Sequence, residues 1–293
     1  MLDYDMPLFR PPSEARSVII QATLGCSHNE CTFCGMYKTK RFRVRPLEEV
    51  IEEIQRVGRR YPTARKLFVA DGDALVLKTS HLLRLLEAAR RSFPTLERVS
   101  VYAMPSNILR KSPEELRELR DAGLRMLYVG VESGNDEVLT RVVKGATRAE
   151  TIASGLKAAE AGFEVSAMVL LGLGGPDLSA AHIADTASAL SEMSPDFASA
   201  LSVMLGPFEE GYRAAFGRPW RELTKDELMG ELRDLVAGIA PWRPVEFRSN
   251  HASNHLPIRG TLDRDRDALV DLIERAMGDP TSPLVRPEWM RAT

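Results

Sequence analysis

The sequence predicts an α/β fold in which six parallel strands are each followed by a helix. Three observations support this prediction: short apolar runs recur at regular intervals, amphipathic helical patterns separate them, and the runs are apolar on both faces. Such strand–helix units form parallel sheets through right-handed crossovers. Six units are too few for a closed eight-unit barrel, so we expect a partial (β/α)6 TIM-like barrel, with an open doubly wound sheet as the alternative.

The predicted elements alternate regularly up to residue 205. Strands are expected at residues 17–24, 66–70, 98–104, 126–131, 163–171 and 197–205. Helical patterns lie between them, at residues 46–60, around 82–89, after 112, after 147 and at about 178–193. Two of these helices begin with a capping box, formed by Ser112 with Glu115 and by Thr147 with Glu150. In either architecture, functional residues are expected at the carboxyl ends of the strands.

The regular alternation stops after residue 205. Helices near 225–239 and 262–277 flank residues 245–261, which are typical of a strand followed by a polar loop. We therefore expect three parts: a lead-in at residues 1–16, a partial barrel at 17–205, and an α-rich extension at 206–293 that closes the open side of the barrel.

The composition excludes several classes of protein. The chain of 293 residues is 44% hydrophobic and 27% charged, as in ordinary globular proteins. Its 39 basic and 41 acidic residues give a net charge of −2, which argues against a nucleic-acid partner. No apolar run approaches the roughly 20 residues that cross a bilayer, and the first residues lack the pattern of a secretory signal. We therefore expect no membrane association and a cytoplasmic location.

All 3 cysteines lie in one short segment directly after the first predicted strand. Cys26, Cys31 and Cys34 form a C-x4-C-x2-C motif, and an odd number of neighbouring cysteines does not make a disulfide scaffold. Three thiolates on one loop can bind three irons of a [4Fe–4S] cluster and leave the fourth iron open to a chelating ligand. The alternative is a zinc site with His28 as the fourth ligand.

The cysteine segment resembles that of the radical S-adenosylmethionine (radical SAM) superfamily, whose usual spacing is C-x3-C-x2-C with an aromatic residue before the last cysteine. Phe33 matches that aromatic residue, although this chain has one extra residue between its first two cysteines. Three later segments are also similar to motifs of the superfamily. They are Asp71-Gly72-Asp73-Ala74, Gly130-Val131-Glu132-Ser133-Gly134 with Lys144-Gly145, and the glycine-containing segment through Gly172. The second is similar to a pattern in the branch that contains oxygen-independent coproporphyrinogen oxidases, heme chaperones and methylthiotransferases.

The resemblance implies an enzyme with a [4Fe–4S] cluster and S-adenosylmethionine (SAM) as cofactors. Such an enzyme cleaves SAM to a 5′-deoxyadenosyl radical, which takes hydrogen from a small or medium organic substrate, after reduction by a flavodoxin- or ferredoxin-like donor. The resemblance also assigns cofactor contacts: the Asp71–Gly72–Asp73 segment to the SAM amino group, Glu132 to the cofactor region, Lys144 to the SAM carboxylate and Gly172 to the adenine. No cysteine remains for an auxiliary cluster, which argues against a methylthiotransferase.

Two polar regions are candidates for substrate contact. Tyr102 lies near the end of the third predicted strand and Asn107 follows it, and the segment from residue 248 to 255 concentrates further polar groups, Arg248, Asn250, His251 and Asn254. The functional interpretation of this C-terminal segment is a lid or a seventh strand; the alternative is an ordinary solvated loop. Two other functions stay open for the whole chain: a heme-chaperone-like protein that delivers a cofactor and binds SAM, and a zinc-stabilised binding protein.

Overall fold

The computed structural model describes residues 4–279 and 281–292, so the first three residues of the predicted lead-in lie outside the described part. Its strands are β1 (Val18–Gln21), β2 (Thr23–Leu24), β3 (Arg43–Val44), β4 (Lys66–Ala70), β5 (Arg98–Ala103), β6 (Leu124–Glu132), β7 (Glu164–Leu171), β8 (Phe197–Ser202), β9 (Glu246–Arg248) and β10 (Arg259–Thr261). Its α-helices are α1 (Leu47–Arg60), α2 (Thr79–Ser92), α3 (Pro105–Arg110), α4 (Pro113–Asp121), α5 (Asp136–Arg141), α6 (Arg148–Glu160), α7 (Gly175–Met193), α8 (Glu209–Phe216), α9 (Lys225–Gly238) and α10 (Leu262–Gly278).

The strands form a mostly parallel sheet of eight, in the order β1-β4-β5-β6-β7-β8-β9-β10. Strand β9 continues the parallel arrangement beside β8, and β10 pairs with β9 in the antiparallel direction. Strands β2 and β3 form a separate antiparallel pair. The predicted α/β class, with six parallel strands each followed by helix, is confirmed.

Local sequence signals place most helix starts correctly. The Ser112 hydroxyl accepts from the Glu115 amide at 3.2 Å and the Glu115 carboxylate accepts from the Ser112 amide at 2.8 Å, so the first capping box is confirmed. Thr147 and Glu150 make the same reciprocal pair at the start of α6. The short helices α3, α5 and α8 were not predicted, because helices of six to eight residues show too little of the 3.6-residue period.

The chain divides into two compact units. The first comprises the described residues up to Asn29 together with Cys34–Val129 and Ser154–Val165; the second comprises Glu30–Phe33, Gly130–Ala153 and the described residues from Ser166 onward. The boundaries expected at residues 16 and 205 stay predictions. None of the described helices has both the length and the hydropathy needed to cross a bilayer.

In the first unit, a buried carboxylate attaches the lead-in to the parallel strands. Glu14 is fully buried and forms an ion pair with Arg98 at 2.6 Å. Its carboxylate also accepts hydrogen bonds from the side chains of Ser17, Ser100 and Tyr128. A buried carboxylate with this many donors is satisfied, so the lead-in is a fixed part of the first unit.

Candidate functional site

Asp71 accepts a hydrogen bond from the backbone amide at the start of the cysteine loop. The Gly25 amide donates to the buried Asp71 carboxylate at 2.9 Å, and Gln21 Nε2 and Lys40 Nζ donate to the same carboxylate at 3.0 Å each. Gly25 precedes Cys26 and has a left-handed φ of 75°. Asp71 therefore fixes the start of the loop within the first unit, a role that sequence reasoning did not assign to it. Its predicted contact with the SAM amino group stays a prediction.

Asp73 joins the cysteine loop to the residues that follow β5. Its buried carboxylate accepts hydrogen bonds from the Ser27 hydroxyl, from the Asn107 side-chain amide and, at 3.3 Å, from the Met104 amide. Burial raises the pKa of Asp73 to about 6, and the hydrogen bonds oppose that rise. The structure thus brings together two residues that were predicted for different ligands: Asp73 for the cofactor and Asn107 for the substrate.

Tyr37 lies beside Cys26 and was not singled out from the sequence. Its side chain is 3% exposed, and its hydroxyl has no hydrogen-bond partner among the described residues. Burial raises its pKa strongly, and Asp71, Cys26 and Cys34 add to the rise. A Cβ on Gly72 would lie 2.6 Å from the Tyr37 ring and 3.0 Å from Cys26 Cβ, so only glycine fits there. The only sequence signal for Tyr37 is its position three residues after the last cysteine.

In the second unit, Glu132 and Lys144 form an ion pair. Glu132 Oε1 lies 3.0 Å from Lys144 Nζ, and both side chains are mostly buried. A Cβ on Gly130 would lie 2.1 Å from Glu132 Oε1 and 2.9 Å from Lys144 Nζ, so the pair occupies the space above this glycine. Glu132 itself has a left-handed φ of 63°, which is strained for a residue with a side chain. The sequence predicted the two charges separately, and the structure shows that they meet.

One face of helix α7 holds the residues after Glu132. Ser133 Oγ lies 2.7 Å from His182 Nδ1, the Gly134 amide donates to Thr186 Oγ1 at 2.8 Å, and Asn135 Nδ2 donates to Asp185 Oδ2 at 2.6 Å. Because His182 Nε2 lies 3.0 Å from the carbonyl oxygen of Leu170, Nε2 carries the proton and Nδ1 accepts from the serine. Complete burial lowers the pKa of His182 to about 4, so the imidazole is neutral.

Gly172 begins a turn after β7 and contacts a buried carboxylate from α9. The Gly172 amide donates to Glu231 Oε2 at 2.6 Å, and Ser179 Oγ donates to Glu231 Oε1 at 2.6 Å. Gly172 has a φ of 81°, which glycine adopts without strain. Burial raises the pKa of Glu231 to about 7. Sequence reasoning missed Glu231, because a lone glutamate in an amphipathic helix looks like an ordinary surface charge.

The raised pKa of Glu231 predicts a pH dependence of stability. A carboxyl group whose pKa is higher in the fold than in the unfolded chain stabilises the fold fully below about pH 4.5, and this stabilisation is lost as the pH rises toward about 7. We expect the free energy of unfolding of the natural chain, relative to Glu231→Gln, to fall across this range by up to about 1.4 kcal/mol per pH unit. Denaturant titrations at several pH values measure this difference. Parallel profiles for the two proteins would contradict it.

Several side chains of the C-terminal polar segment form hydrogen bonds within the second unit. Asn254 is buried; its Nδ2 donates to the carbonyl oxygens of Ala200 and Ser249 at 2.7 and 2.8 Å, and its Oδ1 accepts from Ser202 Oγ at 2.9 Å. His251 Nδ1 lies 2.9 Å from Ser253 Oγ. Asn254 therefore attaches this segment to β8.

The other substrate candidates are distributed over both units. Arg248 forms an ion pair with Glu246 at 2.5 Å and lies over the Phe197 ring, and Asn250 is exposed. Tyr102 packs edge-on against Phe68 in the first unit, with ring centroids 5.1 Å apart. Substrate contact by these residues stays a prediction.

The three hydrogen bonds of Asn254 predict that Asn254→Ala destabilises the protein. The change removes a hydrogen-bond partner from the Ser202 hydroxyl and from two carbonyl groups, so we expect a loss of about 2–4 kcal/mol in the free energy of unfolding. Asn250→Ala is the matched control, because an exposed asparagine four residues earlier should change stability by about 0.5 kcal/mol or less. Denaturant unfolding measures both. Equal stability of the two variants would show that the amide contacts are unimportant.

Phe33 packs in the second unit against an apolar cluster that includes Val142, Leu173 and Trp220. The Thr32 amide donates to the Val142 carbonyl oxygen at 3.0 Å, which fixes this part of the cysteine loop to the end of α5. The three cysteines form no disulfide bond, and each is of intermediate burial. Among the residues that the structure describes, no three His, Cys, Asp or Glu side chains are placed to bind a single metal ion.

A protein-family model described as the Radical SAM superfamily matches residues 20–190. The heme chaperone HemW of Bacillus subtilis is 25% identical over 161 residues, which are 55% of this chain and 41% of that protein. A putative methylthiotransferase of Methanocaldococcus jannaschii is 27% identical over 181 residues, 56% of this chain and 38% of that protein. The chain thus spans about two fifths of the length of both relatives, at 41% and 38%.

Several solved structures share the fold. Coproporphyrinogen III oxidase (HemN) from Escherichia coli, described as a radical SAM enzyme, superposes with a TM-score of 0.58 at 20% identity, covering 76% of this chain and 53% of that one. The methyltransferase TsrM from Kitasatospora setae, solved with cobalamin and a [4Fe–4S] cluster, gives a TM-score of 0.50 at 22% identity, covering 64% and 36%. At these identities the likeness shows the fold, and it confirms the partial-barrel class.

Proposed function

Because this chain belongs to the radical SAM superfamily, we propose that it is an enzyme that binds one [4Fe–4S] cluster through Cys26, Cys31 and Cys34 and uses SAM. The observation that carries the proposal is the loop of three cysteines inside the matched region, none of them in a disulfide bond. Cys26, Cys31 and Cys34 would hold the cluster, which would supply the electron for cleavage of SAM to methionine and a 5′-deoxyadenosyl radical able to take a hydrogen atom from the substrate.

The surroundings of the cysteine loop fit such a group. Three thiols on one loop are the donor set that iron–sulfur clusters use. The hydroxyl of Tyr37 is a buried donor without a partner among the described residues, and a ligand with acceptor atoms would satisfy it. Gly72 packs so closely against Tyr37 and Cys26 that a Cβ there would clash with both, so no side chain at this position can enter the loop.

The chain's own charges supply contacts of the right sign for SAM. Asp73 carries a buried carboxylate suited to an ammonium group, and Lys144 carries a cation suited to a carboxylate. We propose these roles together with a cofactor contact for Glu132 and an adenine contact for Gly172. Glu132 holds Lys144 through the ion pair at 3.0 Å, so Lys144 is oriented before the ligand arrives.

The substrate and the partners are parts of the same proposal. We propose a small or medium organic molecule as substrate, with contacts from Tyr102, Asn107 and the polar segment that contains Asn254. The electron donor is proposed to be a flavodoxin- or ferredoxin-like protein. Three neighbouring cysteines without a disulfide bond are typical of a reducing compartment, which supports a cytoplasmic location.

A second candidate function is delivery of a cofactor without turnover of a substrate. The observation that favours it is the similarity to the heme chaperone HemW, at 25% identity over 161 residues. A protein of this kind would bind both heme and SAM but would not turn over a substrate.

Anaerobic reconstitution tests the proposal and separates these functions. The enzyme proposal expects about four irons and four sulfides per chain, and 5′-deoxyadenosine after addition of SAM and dithionite. Heme binding by a reconstituted protein that forms no 5′-deoxyadenosine would favour the delivery function. Stoichiometric zinc with no iron–sulfur absorption would contradict both and favour the zinc-stabilised binding protein.

A further inference from the structure

The segment after residue 205 contacts the turn that follows β7 at three of its four residues. We call residues 172–175 the glycine turn. Glu231 accepts from the amide of Gly172 at 2.6 Å, and the Tyr212 hydroxyl donates to the carbonyl oxygen of Leu173 at 2.6 Å. The Trp220 ring covers Gly175, where a Cβ would lie 2.5 Å from the ring atom Cδ1.

The glycine turn has a left-handed backbone at two residues and is closely packed. Gly172 and Gly175 have φ angles of 81° and 61°. A Cβ on Gly172 would lie 3.1 Å from a Leu228 methyl group, so α9 packs against the turn at that residue as well. The two hydrogen bonds and the ring contact therefore attach the turn to residues 212–231 at three points.

Burial of the Glu231 carboxylate costs the fold free energy. Its side chain is buried, and among the described residues it forms no ion pair with a cation. Burial of a carboxylate is costly unless its oxygens are hydrogen-bonded, and here the two donors are the Gly172 amide and the Ser179 hydroxyl. A hydrophobic residue would pack a helix at lower cost, so the carboxylate is explained by the turn that it holds.

We infer that Glu231 is a positioning residue for the glycine turn, and that the C-terminal segment of the chain is thereby part of the SAM site. This inference rests on the proposed function, which places the SAM adenine at Gly172. The family model ends at residue 190, so the three contacts come from a part of the chain that the match does not include. Tyr212 and Trp220 contact the same turn as Glu231; their ring centroids are 4.7 Å apart, and Tyr212 is fully buried.

The test compares four variants of the full chain after anaerobic reconstitution. Glu231→Ala removes both hydrogen bonds, Glu231→Gln keeps an acceptor for the Gly172 amide, and Tyr212→Phe removes only the bond to Leu173. Leu235→Ala is the matched control, because Leu235 is a fully buried residue one turn further along α9 and its loss destabilises the helix packing without removing these bonds. The readouts are the dissociation constant of SAM by calorimetry and, without SAM, the hydrogen exchange of the amides in the glycine turn.

We expect Glu231→Ala to raise the dissociation constant of SAM about tenfold and Tyr212→Phe about threefold, with faster amide exchange in the turn. Glu231→Gln should stay within about twofold of the natural chain, and Leu235→Ala should lower the melting temperature but leave the SAM affinity unchanged. If SAM affinity is unchanged in Glu231→Ala, or falls equally in Leu235→Ala, the inference about Glu231 is wrong, whereas the proposed function is unaffected. A natural chain that contains its full iron but binds no SAM would overturn the proposed function, and this inference with it.

Discussion

Changing any of the three cysteines to alanine is expected to abolish both the iron–sulfur cluster and the cleavage of SAM. Cys26→Ala, Cys31→Ala and Cys34→Ala each remove the thiolate of a different iron, and only two thiolates remain on the loop. Two thiolates are too few to hold a cubane cluster, so the loss should be complete rather than graded. Iron and sulfide per chain, and 5′-deoxyadenosine after reduction, measure it.

His28→Ala is the control for the cysteine changes. His28 lies on the same loop and would be the fourth ligand of a Cys₃His zinc site, but the cluster proposal gives it no metal to bind. Its iron content should therefore remain close to that of the natural chain. Complete loss of metal from His28→Ala would argue for zinc and against the cluster.

Removing either partner of the Glu132–Lys144 ion pair is expected to weaken SAM binding without loss of iron. Glu132→Gln and Lys144→Ala should each raise the dissociation constant of SAM about tenfold or more, since a charge-assisted contact contributes about 1.5–3 kcal/mol. The ion pair of 3.0 Å strengthens the expectation, because loss of one partner removes the contact that orients the other, mostly buried charge. For the same reason, the double variant should lose less than the sum of the two single losses.

Anaerobic calorimetry with SAM measures these affinities, and Glu53→Gln provides the control. Glu53 forms a comparable, mostly buried ion pair with Arg45 at 2.6 Å in the first unit. Removing it should change stability but leave the SAM affinity unchanged. If both Glu132→Gln and Lys144→Ala bind SAM as tightly as the natural chain, the assignment of this pair to the cofactor is wrong.

Much of the fold follows from local patterns of the sequence. The apolar run at residues 66–70 coincides with β4, and the capping box at Ser112 sets the start of α4. These predictions succeed because strand burial and helix capping depend on residues that are neighbours in the chain. The three short helices escaped prediction, since one or two turns carry little periodicity. The cysteine motif and the three later motifs are likewise local properties of the sequence, and the resemblance to the superfamily that they carry together is confirmed by the family match.

The tertiary structure alone decided how the candidate site residues are used. Asp71 and Asp73 are two positions apart in one motif, yet Asp71 holds the Gly25 amide whereas Asp73 holds Ser27 and Asn107. Gly172 and Glu231 are 59 residues apart, and nothing in either local sequence indicates that they meet. A hydrogen bond between distant residues depends on the packing of whole helices and strands, and burial then sets the pKa of the carboxylate. Local patterns determine which elements form, whereas the partners of a buried polar group are determined only when those elements pack together.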